Sequence, residues 1–387
     1  AAASLAFTRT RPFMPAPLLP GKPTRLWWMR ADGARALDAA SGREVPGGLV
    51  FPEAIGPVGA NGIGPRMRDD FKVLVVRTEA RAWKAWWLEA GKIEREVSLV
   101  DAPDLPANVV FGGTGDLVSL AWSASRGNLR VWDLRTGQPS GPAVNGTSGL
   151  AQYLSFSPDG RRLAAVTPPD SATVWEVATG KELFKFTPAS GLIRGAFFSP
   201  DGTRIATTHN RGEAQLWDAA TGNPIGEALF HNDSVTAAGF SADGSRLATH
   251  SIDGWVRLWH GRTGEPLGEP IEITGGAPRS VRFSRDGTRL ITASNDGTAR
   301  IWDATTSLPL SEPMRHEANT RVVDAQFSPD ERFVLTETSA NRFHLWSVPP
   351  RMPAHDATPE WLLDLATICA GKTVSVEGRF QPAADAL

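Results

Sequence analysis

From residue 108 to 348, short runs of alternating apolar and polar residues are separated by clusters rich in Gly, Pro, Asp, Asn and Ser. Arg289 to Ala293 and Thr298 to Trp302 are two such runs, joined across Asn295, Asp296 and Gly297. A period of two marks a strand with one buried face, and a turn cluster between two such runs predicts a hairpin. A second turn, Ser157 Pro158 Asp159 Gly160, returns as Ser199 Pro200 Asp201 Gly202, Ser241 Ala242 Asp243 Gly244 and Ser284 Arg285 Asp286 Gly287. Proline presets φ there, aspartate ties back to its own backbone, and glycine takes the positive φ that other residues resist. A third reversal follows at Thr136 Gly137, Thr179 Gly180, Thr221 Gly222 and Thr263 Gly264, leading into a short segment with proline near its start. Each unit is therefore predicted to hold four short antiparallel strands.

The units recur at a fixed period. Trp87, Trp132, Trp175, Trp217, Trp259, Trp302 and Trp346 are separated by steps of 45, 43, 42, 42, 43 and 44 residues. Phe156, Phe198, Phe240, Phe283 and Phe327 run in register, each 19 residues before its tryptophan. A four-stranded sheet of this size buries little alone, and a fixed period gives every sheet the same apolar face, so the sheets must stack. Closing the stack into a ring removes its open ends. The chain is expected to be all-β, a β-propeller whose tryptophans and phenylalanines pack between blades instead of stacking nucleic-acid bases. Trp122, Trp255 and Trp361 are among the indoles that fall off the ladder, and their position leaves them free to be exposed.

The run Val281 Arg282 Phe283 Ser284 Arg285 Asp286 Gly287 Thr288 Arg289 Leu290 Ile291 Thr292 Ala293 Ser294 Asn295 Asp296 Gly297 Thr298 Ala299 Arg300 Ile301 Trp302 Asp303 closely resembles the WD40 repeat. Tryptophan is followed by an acid at Trp132 Asp133, Trp175 Glu176, Trp217 Asp218 and Trp302 Asp303, but not at Trp259 His260 or Trp346 Ser347. The resemblance implies a buried relay: a histidine before the first strand, a Ser or Thr on the second, an aspartate in the following turn and the indole. One unit fills all four places, with His231, Ser251, Asp253 and Trp259. Its neighbours keep Ser294, Asp296 and Trp302 without the histidine, or His316, Thr338 and Trp346 without the aspartate.

Two blade counts are open. Met67 to Glu96 is a degenerate unit around Trp87, and Leu5 to Val50 is another, with Leu37 in the tryptophan's place. The family commonly closes by letting an N-terminal strand complete the last blade. Arg43 to Phe51 could supply that strand, giving the preferred seven blades over 41–350 and leaving 1–40 as an orphan or degenerate repeat. If the start forms its own blade, the ring has eight. The remainder, 351–387, reads as a proline-rich linker, an amphipathic helix and a tail. Thr358 caps that helix, Pro359 starts it, and Trp361, Leu362, Leu365, Ile368 and Cys369 share one face before Gly371. Such an ending resembles the C-terminal ends of long bacterial WD40 arrays, which are often fused behind a serine/threonine kinase domain. That resemblance implies a kinase domain in the same polypeptide, although no kinase motif lies in these residues.

Composition narrows the chemistry. With 41% hydrophobic and 21% charged residues, the composition is that of a folded chain and argues against wholesale disorder. Forty basic residues against 42 acidic ones give no global field for a phosphate backbone, so no nucleic-acid partner is expected. No run of apolar residues is long enough to span a bilayer. The chain begins at Ala1 without a signal-peptide pattern and is read as a fragment. Cys369 is the single cysteine, compatible with a cytoplasmic location, and it rules out a thiolate zinc site. The seven histidines show no ligand spacing, so neither a metal nor a cofactor is expected. Ala366 to Thr373 fits a relaxed phosphate-loop pattern, but a predicted helix precedes it and Thr373 to Val376 reads as extended, the reverse of the order such a loop needs. Gly59 to Gly64 lacks the order of a dinucleotide fingerprint. The innermost segments, near residues 151–155, 193–197, 235–239, 278–282 and 322–326, hold one carboxylate, Asp324. Acid and base catalysis on a two-group plan lacks a second member there, so no enzyme is expected.

The positive expectation is recognition of a protein or peptide. The residue four before each phenylalanine opens the innermost strand: Gln152, Arg194, Thr236, Arg279 and Val323. The resemblance implies that this rim contacts partners. Arg194 and Arg279, with Arg321, suit an acidic side chain or C-terminal carboxylate, since a guanidinium pairs carboxylates through two hydrogen bonds. The expected role is a non-catalytic interaction platform within a larger bacterial regulatory protein. A ligand-sensing or enzymatic propeller and a structural spacer in a tandem array remain the alternatives.

Overall fold

The computed structural model describes residues 13–16, 25–29, 33–38, 44–50, 52, 66–67, 73–80, 82–89, 92–100, 109–112, 119–123, 129–144, 152–167, 171–187, 191–328, 330–340, 342–348, 372–374 and 380–382. The chain divides into two compact units, Ala1–Val348 and Pro349–Leu387.

Among the described residues, the first unit holds eight antiparallel sheets, at 13–50, 66–98, 109–133, 152–186, 193–230, 235–272, 278–315 and 322–347. Each is a meander with its strands in chain order; the third and eighth have three strands and the others four. Burial grades across a sheet. The second strands Arg204–His209 and Arg289–Ser294 are buried at every position, the third strand Thr298–Asp303 is buried at Ala299, Ile301 and Trp302 only, and the outer strand Pro224–Phe230 is mostly exposed. From the third sheet to the eighth, first strands lie beside the first strands of neighbouring sheets, which makes them the inner edge of the stack.

The turns form as their composition dictates. Ser157 Oγ donates to the Asp159 carboxylate at 2.5 Å, and Ser199, Ser241 and Ser284 repeat the bond to Asp201, Asp243 and Asp286 at 2.6, 2.6 and 2.7 Å. The same oxygens accept the backbone N–H of Arg162, Arg204, Arg246 and Arg289 at 2.9 to 3.0 Å. The turn glycines 160, 202, 244 and 287 sit at φ of +66° to +70°, where a Cβ is strained. In the eighth sheet Glu331 occupies that conformation, at φ +56°. Third reversals also occur as expected, with Trp132, Trp259 and Trp302 bridged antiparallel to Pro139, Pro266 and Pro309.

Apolar clusters join each sheet to the next from the second to the eighth. Trp259 packs with Ala206, Ala214, Leu216 and Leu229 of the fifth sheet, and Trp302 with Val256, Leu258, Ile271 and Ile273 of the sixth. Trp175 and Trp132 occupy the same place, and Trp217 lies 4.6 Å from the Phe186 ring. These indoles, and Trp346 in the cluster between the seventh and eighth sheets, are wedged against the preceding sheet.

The N-terminal part departs from the sequence reading twice. Each ladder indole lies opposite an aliphatic residue of the second strand, as in Leu163↔Trp175, Leu247↔Trp259 and Leu290↔Trp302. In the second sheet the corresponding pair is Leu74↔Trp86, while Trp87 lies opposite Val73. Trp86 is fully buried, and Trp87 is half-buried on the other face, against the cluster that holds Trp132. A one-residue offset reverses the face a side chain occupies, so the ladder member is Trp86 and not Trp87. The first sheet does carry Leu37 in the tryptophan's place, opposite Leu26. Its fourth strand, Glu44–Val50, pairs with Gly33–Asp38. This strand, expected to complete the last blade of a seven-bladed ring, instead completes its own sheet.

In the second unit Lys372–Val374 pairs antiparallel with Phe380–Pro382. The extended reading at Thr373 agrees with this, and Lys372 and Thr373 open a strand instead of a phosphate-binding helix. The helix expected from Thr358 to Cys369 lies outside the described residues. No helix among the described residues is long and apolar enough to cross a membrane.

Candidate functional site

The inner strands share a defect at the same point. Ile193 pairs with His209 and Gly195 with Thr208, so Arg194 is an extra residue with no partner position across the ladder. Thr236, Arg279 and Val323 are the extra residues of the sixth, seventh and eighth sheets. A β-bulge re-aims the extra side chain and commonly sits where a surface is used. Arg194, Arg279 and Arg321 are exposed. Thr236 differs: it is half-buried, with Oγ1 2.9 Å from His250 Nδ1. In the fourth sheet the irregularity falls between Gln152 and Ser155, so Gln152 itself is paired, with Val166. The spacing rule thus finds a bulge residue in four of the five sheets. Asp324, the inner-strand carboxylate, receives two hydrogen bonds from Arg282 of the adjacent sheet, at 3.2 and 2.9 Å.

Between the sheets lies the relay, with one member displaced. Trp259 Nε1 donates to Thr249 Oγ1 at 2.8 Å, and His231 Nε2 lies 2.7 Å from that oxygen. The hydroxyl joining indole and imidazole is therefore Thr249 and not Ser251. Both project from the same face of one strand, but the indole opposite Leu247 reaches only to the nearer hydroxyl. Ser251 shapes the turn instead: it donates to the Asp233 carbonyl at 2.7 Å and accepts the Asp253 N–H at 3.1 Å. The fifth, seventh and eighth sheets follow, with Trp217, Trp302 and Trp346 donating to Thr207, Thr292 and Thr336 at 2.8, 2.9 and 2.9 Å, whereas Trp132 of the third donates to the Val100 carbonyl at 2.8 Å. Ser294 and Thr338 are thus displaced in the same way.

The imidazole is supplied differently in each unit. His231 Nδ1 lies 2.6 Å from an Arg257 nitrogen and 3.5 Å from Asp253. A guanidinium offers only donors, so Nδ1 accepts and Nε2 carries the proton toward Thr249. In the eighth sheet His316 Nδ1 donates to the Gly297 carbonyl at 2.9 Å, so its Nε2 accepts from Thr336, at 2.6 Å. In the fifth, His209 reaches Thr207 at 3.1 Å from two residues along the same strand. In the seventh, Thr274 stands where His231 does, 43 residues on.

These rings are held neutral. Burial, then the Arg257 charge, pushes His231 down to about 4 against the pull of Asp253. Burial does the same to His250 and His316, each to about 4. An unfolded histidine titrates near 6.5, so between pH 6.5 and about 4 the unfolded chain binds more protons than the folded one. Stability from these groups is fully present above the unfolded value and is lost as pH falls through that window. Urea midpoints are expected to drop between about pH 7 and about pH 5, and the drop should be shallower in His316→Asn. An unchanged midpoint across the window would contradict neutral burial of these rings.

A second inter-sheet device escaped the sequence reading. An arginine six residues after Phe156, Phe198, Phe240 and Phe283 reaches into the following sheet; after Phe327 the position is Phe333. Arg204 donates to the carbonyls of Gly244, at 3.0 Å, and Gly261, and pairs with Asp201 at 2.7 Å. Arg162 donates to Gly202 at 2.8 Å and to Ala219, and Arg246 to Ala304 at 2.6 Å. Arg289 pairs with Glu331. The guanidiniums of Arg162, Arg204 and Arg289 lie over the Phe198, Phe240 and Phe327 rings of the next sheet at 5.6, 5.9 and 5.2 Å. The signal was a basic residue at one offset in four successive units.

Among the described residues, no group of three His, Cys, Asp or Glu side chains could hold a metal ion. A family model described as "WD domain, G-beta repeat" (WD40) matches residues 222–260 and 270–303, the units ending in Trp259 and Trp302. No curated protein matches the chain. The crystal structure of the computationally designed Ika8 protein is similar, with a TM-score of 0.65 over 89% of this chain and 99% of that chain, at 19% sequence identity. That likeness is one of fold.

Proposed function

We propose that this chain, a WD40-like β-propeller in its repeats and its fold, serves as a non-catalytic platform for protein partners through the inner-strand rim. The observation that carries this reading is the bulge at Arg194 and Arg279, which frees two exposed guanidiniums from the ladder on the inner edges of the fifth and seventh sheets, either side of the Thr236 bulge of the sixth. Such groups lose little on desolvation against a carboxylate that takes two hydrogen bonds. The partner is an acidic segment or a chain ending in a free carboxylate. Asp324 is already paired with Arg282, which leaves the described inner edge poor in groups for acid–base chemistry and favours binding over hydrolysis.

The wider assignment follows the same reading. The segment belongs to a larger cytoplasmic bacterial signalling protein with a kinase domain in the same polypeptide. Its ring closes with eight blades, since the sheet at 13–50 keeps its own fourth strand. Fluorescence anisotropy with acidic peptides ending in a free carboxylate tests the rim. Arg194→Glu with Arg279→Glu is expected to weaken binding by about tenfold or more, while Arg194→Ala and Arg279→Ala leave stability within about 0.5 kcal/mol. Failure of every acidic peptide to bind, or binding indifferent to the charge reversal, would sink the proposal.

A further inference from the structure

The seventh sheet contains a cleft of about 350 Å³ lined by Thr274, Thr292, Asp296, Arg300 and Trp302, with Glu272 and Arg315 also contributing. Its volume lies at the small end of ligand pockets. Its lining repeats the surroundings of a ring that the sixth sheet provides from its own chain. There the His231 imidazole sits 2.7 Å from Thr249, 3.5 Å from Asp253 and 2.6 Å from Arg257, beside Trp259. Displaced by 43 residues, those four become Thr292, Asp296, Arg300 and Trp302, and the histidine becomes Thr274.

The partners are in place as well as present. Thr292 accepts the Trp302 indole at 2.9 Å, the bond that Thr249 makes with Trp259. Its own hydroxyl donates only at 3.4 Å, to the Arg300 carbonyl. Asp296 Oδ1 is taken by the amide and hydroxyl of Thr298, at 2.9 and 2.7 Å, while Arg300, in place of the two bonds of Arg257 to His231 and Asp253, lies over the Trp302 ring at 5.1 Å and donates its Nε to the Ser311 carbonyl. Thr274 carries no ring to offer these groups.

We propose that this cleft binds an imidazole ring from outside the chain, held between the Thr292 hydroxyl, the Asp296 carboxylate and the Arg300 guanidinium as His231 is held in the sixth sheet. The site is independent of the arginine rim. The ring arrives either on a small molecule or as the histidine side chain of a peptide, and the exposed, oppositely charged Glu272 and Arg315 contact whatever carries it.

The indoles supply an internal control. In protein carrying ¹⁵N in its tryptophan indoles, 4-methylimidazole and N-acetylhistidine methylamide are titrated separately. A fragment of so few atoms is expected to bind in about the millimolar range. The Trp302 indole resonance should move and saturate, and that of Trp259 should stay. A response to the first probe alone assigns the site to small molecules, and a response to the second alone or to both admits a peptide side chain. Thr274→His, which supplies the ring internally, should abolish the response, and Asp296→Asn should weaken it by about fivefold while leaving the fold intact. No saturable movement of Trp302, equal movement of Trp259, or a response that survives both substitutions would overturn the proposal.

Discussion

Trp259→Ala is expected to lower the unfolding free energy by about 3 to 5 kcal/mol. The indole is 8% exposed and fills the space between the Val235 and Leu247 side of its own sheet and the Leu216 and Leu229 side of the fifth. Truncation removes an aromatic ring from a position that can collapse only by moving one sheet against another, so most of the cavity should persist. It also deletes the donor to Thr249, where a net hydrogen bond contributes about 1 kcal/mol. Trp259→Phe separates the two contributions, since the phenyl ring keeps most of the apolar surface and loses the bond. Chemical denaturation with Arg194→Ala as the exposed reference measures both. Equal midpoints for Trp259→Ala and Arg194→Ala would show that the ladder does not hold the sheets together.

Arg204→Ala should cost about as much, 3 to 5 kcal/mol, for an electrostatic reason. The side chain is 5% exposed although it carries a full charge. It is compensated by the Gly244 and Gly261 carbonyls, by Asp201 and by the face of Phe240. Removing it leaves those acceptors facing a cavity and deprives Asp201 of one of the hydrogen bonds that hold its pKa far below the usual carboxylate range against burial. Arg204→Lys is expected to recover little, because a point charge on a flexible stem cannot reach several acceptors in one plane. Arg161→Ala, an exposed residue of the preceding repeat's turn, should change stability by less than about 0.5 kcal/mol. A midpoint for Arg204→Ala matching Arg161→Ala would show that the inter-sheet bonds are replaced by water at no cost.

The period of the tryptophans was sufficient to read the sheets, their meander order and the clusters between them, because a repeated turn chemistry leaves the backbone few alternatives. What period alone cannot resolve is a shift of one or two residues. Adjacent Trp86 and Trp87 both fit a step near 45, and only the face each takes chooses between them, since Trp87 lies against the cluster shared with the following sheet. Thr249 and Ser251 share a strand face, and only the reach of the indole distinguishes the relay hydroxyl from the turn hydroxyl. Arg162, Arg204, Arg246 and Arg289 were in view at a constant offset, but charged residues are ordinarily solvated, so composition gave no reason to place them between sheets. The rim was read more directly, since the position four before each phenylalanine coincides with a bulge in all sheets from the fifth to the eighth.

The arginine bonds all run one way along the chain: the fourth sheet grips the fifth, the fifth the sixth, the sixth the seventh and the seventh the eighth. On the ribosome the N-terminal neighbour emerges first. Each newly synthesised sheet from the fifth to the eighth therefore meets a guanidinium already displayed by its predecessor, with its carbonyls, or in the eighth the Glu331 carboxylate, as the complement. Erosion is correspondingly lopsided. Stripping sheets from the C-terminal side exposes a cation that has lost its acceptors, whereas stripping them from the N-terminal side uncovers carbonyls that water satisfies.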